Sequence, residues 1–424
     1  MIARYHVTRL DNSLLVATAE MPSMQSVALG VWVAVGGRHE PERVCGVSHF
    51  IEHLLFKGTR RRSAKQISQE VEGVGGYLNA FTSEEHTCYF AKASADKLDL
   101  LLDVLMDIYL EPRFDANEME KERGVIKEEI QMYLDRPDQH VHEILNEAMW
   151  PQQPLGRSLT GTLKSMDAIS RRDVLDYKTR HYVGSNTIIA AGGPLEHARL
   201  LDAVRPLAKR IREGRDNHFT PARTVGRGPV VRLLTKETEQ SHLAIGLHSF
   251  SRADERRYAL KLLNVIFGEN MSSRLFQVVR ERHGLAYSIQ SSLNYFADAG
   301  AMIISAGLDN KRLTKALRLT VRELARAAAK PPSAGELRRA KDYAIGQMRL
   351  ALESTSNQMM WAGEHLLGFG EIFEPDDVVR RVQTVTAADV QAVARELFRA
   401  HRLRLAVIGP MKDAKGIERE LKQL

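Results

Sequence analysis

One landmark occurs twice in this chain at nearly one spacing. Gln25-Ser26 opens the apolar run QSVALGVWV, and Gln240-Ser241 opens QSHLAIGL 215 positions later. The run NTIIAAGGP closes at Pro194, and LRLAVIGP closes at Pro410, 216 positions later. A charged, helix-like segment follows each proline. Two landmark pairs at one offset imply duplication of a unit of about 210 residues. Between the copies lies IREGRDNHFTPARTVGRG, which has turn residues and arginines but no apolar period, the composition of a linker. The expectation is two similar domains, 1–213 and 229–424, joined by 214–228. A length of 424 residues suits two or three domains with full-sized cores.

Each half mixes helical and strand periods. In the first, 26–35 and 87–93 have strand character, and 64–71, 95–109 and 117–133 have helical spacing. In the second, 243–249, 285–295 and 301–306 fit strands, and 258–265, 311–329 and 333–352 fit helices. Several helices separate hairpin-like strand pairs. This predicts an α+β fold in each half, a mostly antiparallel sheet with helices packed on it. The N-terminus fits two short strands around a turn at Asp11-Asn12.

Composition narrows the function classes. Hydrophobic residues make 44% and charged residues 27%, which excludes disorder of the whole chain. Cys45 and Cys88 cannot build a disulfide framework or a CxxC zinc site, so a reducing compartment is expected. The net charge of +7 is spread among both signs and does not call for nucleic acid. The segment 98–110 is broken by Asp99, Asp103 and Asp107, and no segment reads as a membrane span or export signal. A cytoplasmic protein is the default.

The chemistry gathers in GVSHFIEHLLFKGT, 46–59. Val47, Phe50, Ile51, Leu54 and Leu55 place it on a mostly buried helix. His49, Glu52 and His53 form H-x-x-E-H, and positions i, i+3 and i+4 share a face. Two imidazoles can then bind one ion, with a carboxylate beside it that can take a proton from water. Two satisfied core histidines explain the five residues about as well. A third ligand would decide between them. In NEMEKERGVIKEEIQMY, Glu122 and Glu129 lie seven apart on one face, while Glu128 points elsewhere. Glu129 is the better ligand, because Glu122 can support it from behind. Cys45 fits a small buried thiol, and Arg60-Arg61-Arg62 fits a solvated cluster.

These residues resemble the pitrilysin superfamily of zinc peptidases, and most of all the mitochondrial-processing-peptidase branch and its bacterial relatives. The resemblance lies in GGRHEPERVCGVSHFIEHLLFKGT, GGYLNAFTSEEHTCYF, ERGVIKEEI and PLGRSLTGT, in the family's order over the first 165 residues. It implies one Zn2+ per chain held by His49, His53 and Glu129. Glu52 is then the general base toward a zinc-bound water, and Glu122 a supporting glutamate. In VVRERHGLAYSIQSSLNY, Arg280 and Tyr287 match an Arg and Tyr that reach toward substrate in the family; both are donors suited to a developing oxyanion. Read alone, they would be a surface charge and a core tyrosine. The strand opened by Gly75-Gly76 carries Asn79, Ala80, Phe81 and Thr82, which in the family pair with an extended substrate. A plain core strand would explain Leu78 and Phe81 as well.

The resemblance thus implies a zinc endopeptidase for peptides or unfolded, targeting-like segments. It also implies two subunits forming a chamber. A homodimer is the simplest pairing, because the chain carries both the zinc motif and the Arg/Tyr pair; a heterodimer with a zinc-less homologue stays open. The competing class is a non-proteolytic assembly subunit, or a peptide-binding partner, of the same fold.

Overall fold

The computed structural model describes residues 3–224 and 228–421. Residues 225–227 of the expected linker lie outside them. The chain forms two compact units, each built on one sheet.

The first sheet contains β1 (Arg4–Arg9), β2 (Leu15–Glu20), β3 (Ser26–Val33), β4 (Tyr77–Thr82), β5 (Thr87–Ser94) and β6 (Thr187–Gly193). Its order is β1-β2-β6-β3-β5-β4. All neighbours are antiparallel except β2 and β6. The second sheet contains β7 (Val230–Thr235), β8 (Gln240–Ser249), β9 (Ala286–Tyr295), β10 (Gly300–Asp309) and β11 (Leu403–Gly409). Its order is β7-β11-β8-β10-β9, and only β7 and β11 run parallel. Replacing β2, β6, β3, β5 and β4 by β7, β11, β8, β10 and β9 turns one order into the other. The repeated landmarks are therefore matching strands: β3 and β8 carry the Gln-Ser pairs' apolar runs, and β6 and β11 end just before the two prolines.

The strands at the sheet centres are buried on both faces, which explains their nearly continuous apolar runs. On β3, Ala28 and Trp32 pack against Met359 and Ala362 of the helix Thr355–Phe369. The alternate residues Val27, Leu29, Val31 and Val33 are also buried. They turn to the other side, where helix Leu98–Leu110 packs on β3 and β5. In the second unit, Ala244, Ala406 and Ile408 pack against Val141, Leu145 and Met149 of helix Pro137–Met149. Leu243, Ile245, Leu247 and Leu405 face the core shared with helices Leu313–Ala329 and Ala387–Leu397.

The units are not the two contiguous halves. The first takes the chain up to Gln131, then Arg157–Thr220, and then Leu350–Phe373 from beyond the midpoint. The second takes Met132–Gly156 from the first half, with Pro221–Arg349 and the segment from Glu374 onward. The physical cause is that each sheet has two apolar faces. One face of each is covered by a helix from the other copy of the repeat. Glycines permit the close approach. A Cβ on Gly363 would stand 2.3 Å from the Trp32 indole, and one on Gly246 would stand 2.4 Å from Met149 Sδ.

The arginine cluster differs from expectation. Arg62 is buried, and its guanidinium meets Glu70, Asp103 and Asp107. Asp103 and Asp107 interrupt the apolar helix Leu98–Leu110 because they serve this arginine, and Arg61 also pairs with Asp103. Among the described residues, no helix is long and apolar enough to cross a membrane.

Candidate metal centre

Three elements build the site, and its residues on them all lie in the first unit: helix Val47–Leu55, helix Ala116–Asp135 up to Gln131, and edge strand β4. The first helix starts at Gly46, whose φ of 91° is left-handed. A Cβ there would stand 2.7 Å from the Thr160 carbonyl oxygen, so only glycine fits. The buried Glu40 carboxylate caps the helix, accepting from the Gly46 amide at 2.6 Å and the Ser48 amide at 2.8 Å. Burial pushes the Glu40 carboxyl up to about 7, against the pull of these hydrogen bonds. The helix hides Val47, Phe50, Ile51, Leu54 and Leu55 and leaves His49, Glu52 and His53 half-buried on the opposite stripe.

Glu129 comes to that stripe from the long helix. Its Oε2 lies 3.8 Å from His49 Nε2 and 3.7 Å from His53 Nε2. The three ligand atoms all fall within 4.8 Å of one another. Donors on one tetrahedral zinc stand roughly 3.4 Å apart, so this set fits a small cation with little adjustment. Glu122 is two turns before Glu129 and buried. Its Oε2 lies 3.1 Å from His53 Nδ1, which leaves His53 Nε2 for an ion. The His49 and His53 rings are 4.6 Å apart and tilted by 68°. Burial, helped by the nearby His53, lowers His49 to about 4, so its imidazole is neutral at ordinary pH. A neutral imidazole is the form that ligates. Glu128 is exposed, as its angular offset on the helix predicts.

Glu52 is not among the three grouped ligands. Its Oε2 accepts a 2.5 Å hydrogen bond from Thr82 Oγ1. Burial raises the Glu52 carboxyl above its usual value, and the Thr82 hydrogen bond opposes that. Sequence reasoning placed Thr82 only on a substrate strand; here its hydroxyl holds the carboxylate. Among the described residues, β4 is the last strand of its sheet and pairs with β5 alone. Asn79 is exposed on it, and its Oδ1 accepts from the Ala80 amide at 2.8 Å. Ala80 is half-buried. Phe81 packs edge-on to Trp32 and Phe90, a core role.

Arg280 and Tyr287 belong to the second unit. Arg280 lies in the π-helical turn Phe276–Arg282, with its guanidinium 4.7 Å over the Phe276 ring. Tyr287 lies on edge strand β9 and is 78% exposed, so it is not a core tyrosine. Cys45 is buried, its Sγ 3.5 Å from the Ser158 carbonyl oxygen, and burial drives its thiol up to about 12. It is an inert neighbour of the site. Two participants escaped sequence reasoning. Glu40 sits in an irregular loop, and Lys57 follows the helix; its Nζ lies 2.7 Å from Glu122 Oε1. No periodicity marks either.

Two similar sheet-and-helix units carry an H-x-x-E-H helix that faces Glu129 of a second helix, and together these residues form a metal-ligand set. The chain belongs to the insulinase family of peptidases, family M16: that family's model matches residues 15–163, and the model described as the peptidase M16 inactive domain matches 168–343. It is 37% identical to a protein of Streptomyces coelicolor named an uncharacterized zinc protease, covering 96% of this chain and 90% of that one. It is 34% identical to the uncharacterized zinc protease YmxG of Bacillus subtilis, covering 97% and 98%. Among solved structures, a protease from Helicobacter pylori superposes with a TM-score of 0.90 at 20% identity, covering 97% of this chain and 100% of that chain.

Proposed function

We propose that the protein is a zinc endopeptidase for peptides and unfolded segments. The observation that carries this is the convergence of His49 Nε2, His53 Nε2 and a Glu129 carboxylate oxygen beside Glu52, in a chain of the M16 family. Relatives named zinc proteases support zinc as the ion. His49, His53 and Glu129 would hold one Zn2+. When bound, the ion supplies Lewis acidity to a water and to the scissile carbonyl. Glu52 takes the proton from the attacking water at its free carboxylate oxygen and returns it to the leaving amine. Its burial makes it a stronger base than a solvated carboxylate, and Thr82 aims it. Glu122 fixes the His53 ring through Nδ1.

Extended substrate adds to the open edge of β4, where main-chain hydrogen bonds accept many sequences. Asn79 and Ala80 offer this edge. We assign Arg280 and Tyr287 to binding the reacting carbonyl; both are exposed donors seven residues apart. The active form proposed is a homodimer, since one chain carries both residue sets.

The test is digestion of a mixed, unstructured peptide library, read by mass spectrometry. Wild-type protein cleaves it. Chelated protein and Glu52→Gln do not, and Glu52→Gln still binds one zinc. Zinc bound at that stoichiometry without cleavage in the wild type would favour the assembly or peptide-binding class instead.

A further inference from the structure

The buried carboxylate of Glu122 holds the metal helix at two points. Its Oε2 meets His53 Nδ1 at 3.1 Å, and its Oε1 meets Lys57 Nζ at 2.7 Å. His53 and Lys57 are four residues apart. Lys57 lies just past the end of helix Val47–Leu55, where the chain tightens: the Phe56 amide donates to His53 O at 3.2 Å and the Lys57 amide to Leu54 O at 3.1 Å. The lysine therefore folds back over the last turn toward the neighbouring helix. A cation there also complements the negative helix end.

The electrostatics require a partner of this kind. The Glu122 side chain is 7% exposed. A buried carboxylate is costly unless paired and hydrogen-bonded. A single contact to an imidazole N–H would leave its other oxygen without a partner and the carboxylate free to turn about its last bond. Lys57 occupies that oxygen and fixes the rotation. The bond to His53 is then held in the orientation that turns Nε2 toward Glu129 and His49. One carboxylate thereby locks the helix bearing both histidines to the helix bearing Glu129.

We propose that Lys57 is a positioning residue for the metal centre: it anchors Glu122 so that Glu122 holds the His53 ring in its ligating pose. This rests on the zinc assignment above. Lys57 acts on the ligands through Glu122.

The test is zinc release from the full-length protein into excess chelator, with thermal melts of the zinc-free forms. Lys57→Met keeps the aliphatic stem, which is one-third exposed here, and removes the charge. Changes behind a metal ligand typically weaken binding 10- to 100-fold. Lys57 stands one step further back, so Lys57→Met should release zinc about three- to tenfold faster. Glu122→Gln should be at least as fast, and Lys57→Arg should return to within about twofold of wild type, because it restores a cationic donor. The zinc-free melt of Lys57→Met should fall below that of wild type, because the buried Glu122 loses a partner, but should stay cooperative, and that of Lys57→Arg should stay near wild type. Release from Lys57→Met at the wild-type rate, while Glu122→Gln is fast, would overturn the proposal and leave the zinc site intact. So would an arginine variant as fast as the methionine one, or loss of the zinc-free fold in Lys57→Met and Lys57→Gln alike, which would make the lysine a folding residue. A wild-type protein that binds no zinc would overturn the zinc assignment itself.

Discussion

Thr82 Oγ1 donates a 2.5 Å hydrogen bond to Glu52 Oε2, tying the end of an edge strand to the carboxylate of the H-x-x-E-H helix. Hydrogen bonds to charged groups are worth about 1.5–3 kcal/mol. If Glu52 works as a base, its aim depends on this bond. Thr82→Val should lower kcat/KM by roughly tenfold or more, and Thr82→Ser should stay near wild type. Zinc affinity should be unchanged in both. Steady-state kinetics beside a metal titration checks this; equal activity in the valine variant would remove Thr82 from the site.

Metal removal should be visible as stability. A ligand present at 100 times its Kd stabilises the folded state by about 2.7 kcal/mol. Zinc should therefore raise the melting temperature of the chelator-stripped protein. His49→Ala and Glu129→Gln should lose most of that rise, since each removes one of the three converging donors. Thermal melts with and without added zinc measure it. An undiminished rise in both variants would mean that the ion binds elsewhere.

Glu40 sets a pH dependence. Its folded value of about 7 lies above the unfolded reference of 4.5, because the carboxyl is buried. The folded protein therefore keeps a proton that the unfolded chain releases between these values. The resulting stability is full below about 4.5 and lost as pH rises through about 7. Glu40→Gln has no such titration. Between pH 5 and pH 8, wild type should lose roughly 1–3 kcal/mol relative to the glutamine variant. Paired urea melts at the two pH values test this, and parallel behaviour would contradict it.

Gly363 tests the packing of the first sheet. In an open helix, alanine for glycine gains about 1 kcal/mol. Here the added Cβ would stand 2.3 Å from the indole of Trp32, which is fully buried. Overpacking of this kind costs about 1–3 kcal/mol. The clash outweighs the propensity, so Gly363→Ala should lower the melting temperature. A more stable variant would mean that the helix Thr355–Phe369 does not lie against β3.

Much of the site was legible because it is periodic. His49, Glu52 and His53 share a stripe by helical arithmetic, and so do Glu122 and Glu129. The duplicated sheets were legible because β3, β8, β6 and β11 are buried on both faces and keep recognisable apolar runs. Lys57, Glu40 and the hydroxyl of Thr82 were not legible in these roles. Each acts through one or two contacts across a turn or between elements, and no local pattern encodes its partners. The same holds for Arg62, which looks like one of three exposed arginines until Asp103 and Asp107 come to face it. The exchanged helices were hidden for a different reason. An amphipathic or apolar helix announces that it must be covered, but not by which sheet.

That exchange has a consequence for synthesis. The first sheet presents Ala28 and Trp32 to water until the residues around Met359 and Ala362 have left the ribosome. Synthesis runs at about 5–20 residues per second, so the interval after the first half is complete is on the order of ten seconds. During that time a finished sheet carries an uncovered apolar side, an invitation to chaperones or to premature association. It also means that cutting the gene at its linker would not return two ancestral proteins. Each fragment would lack one wall of its own core.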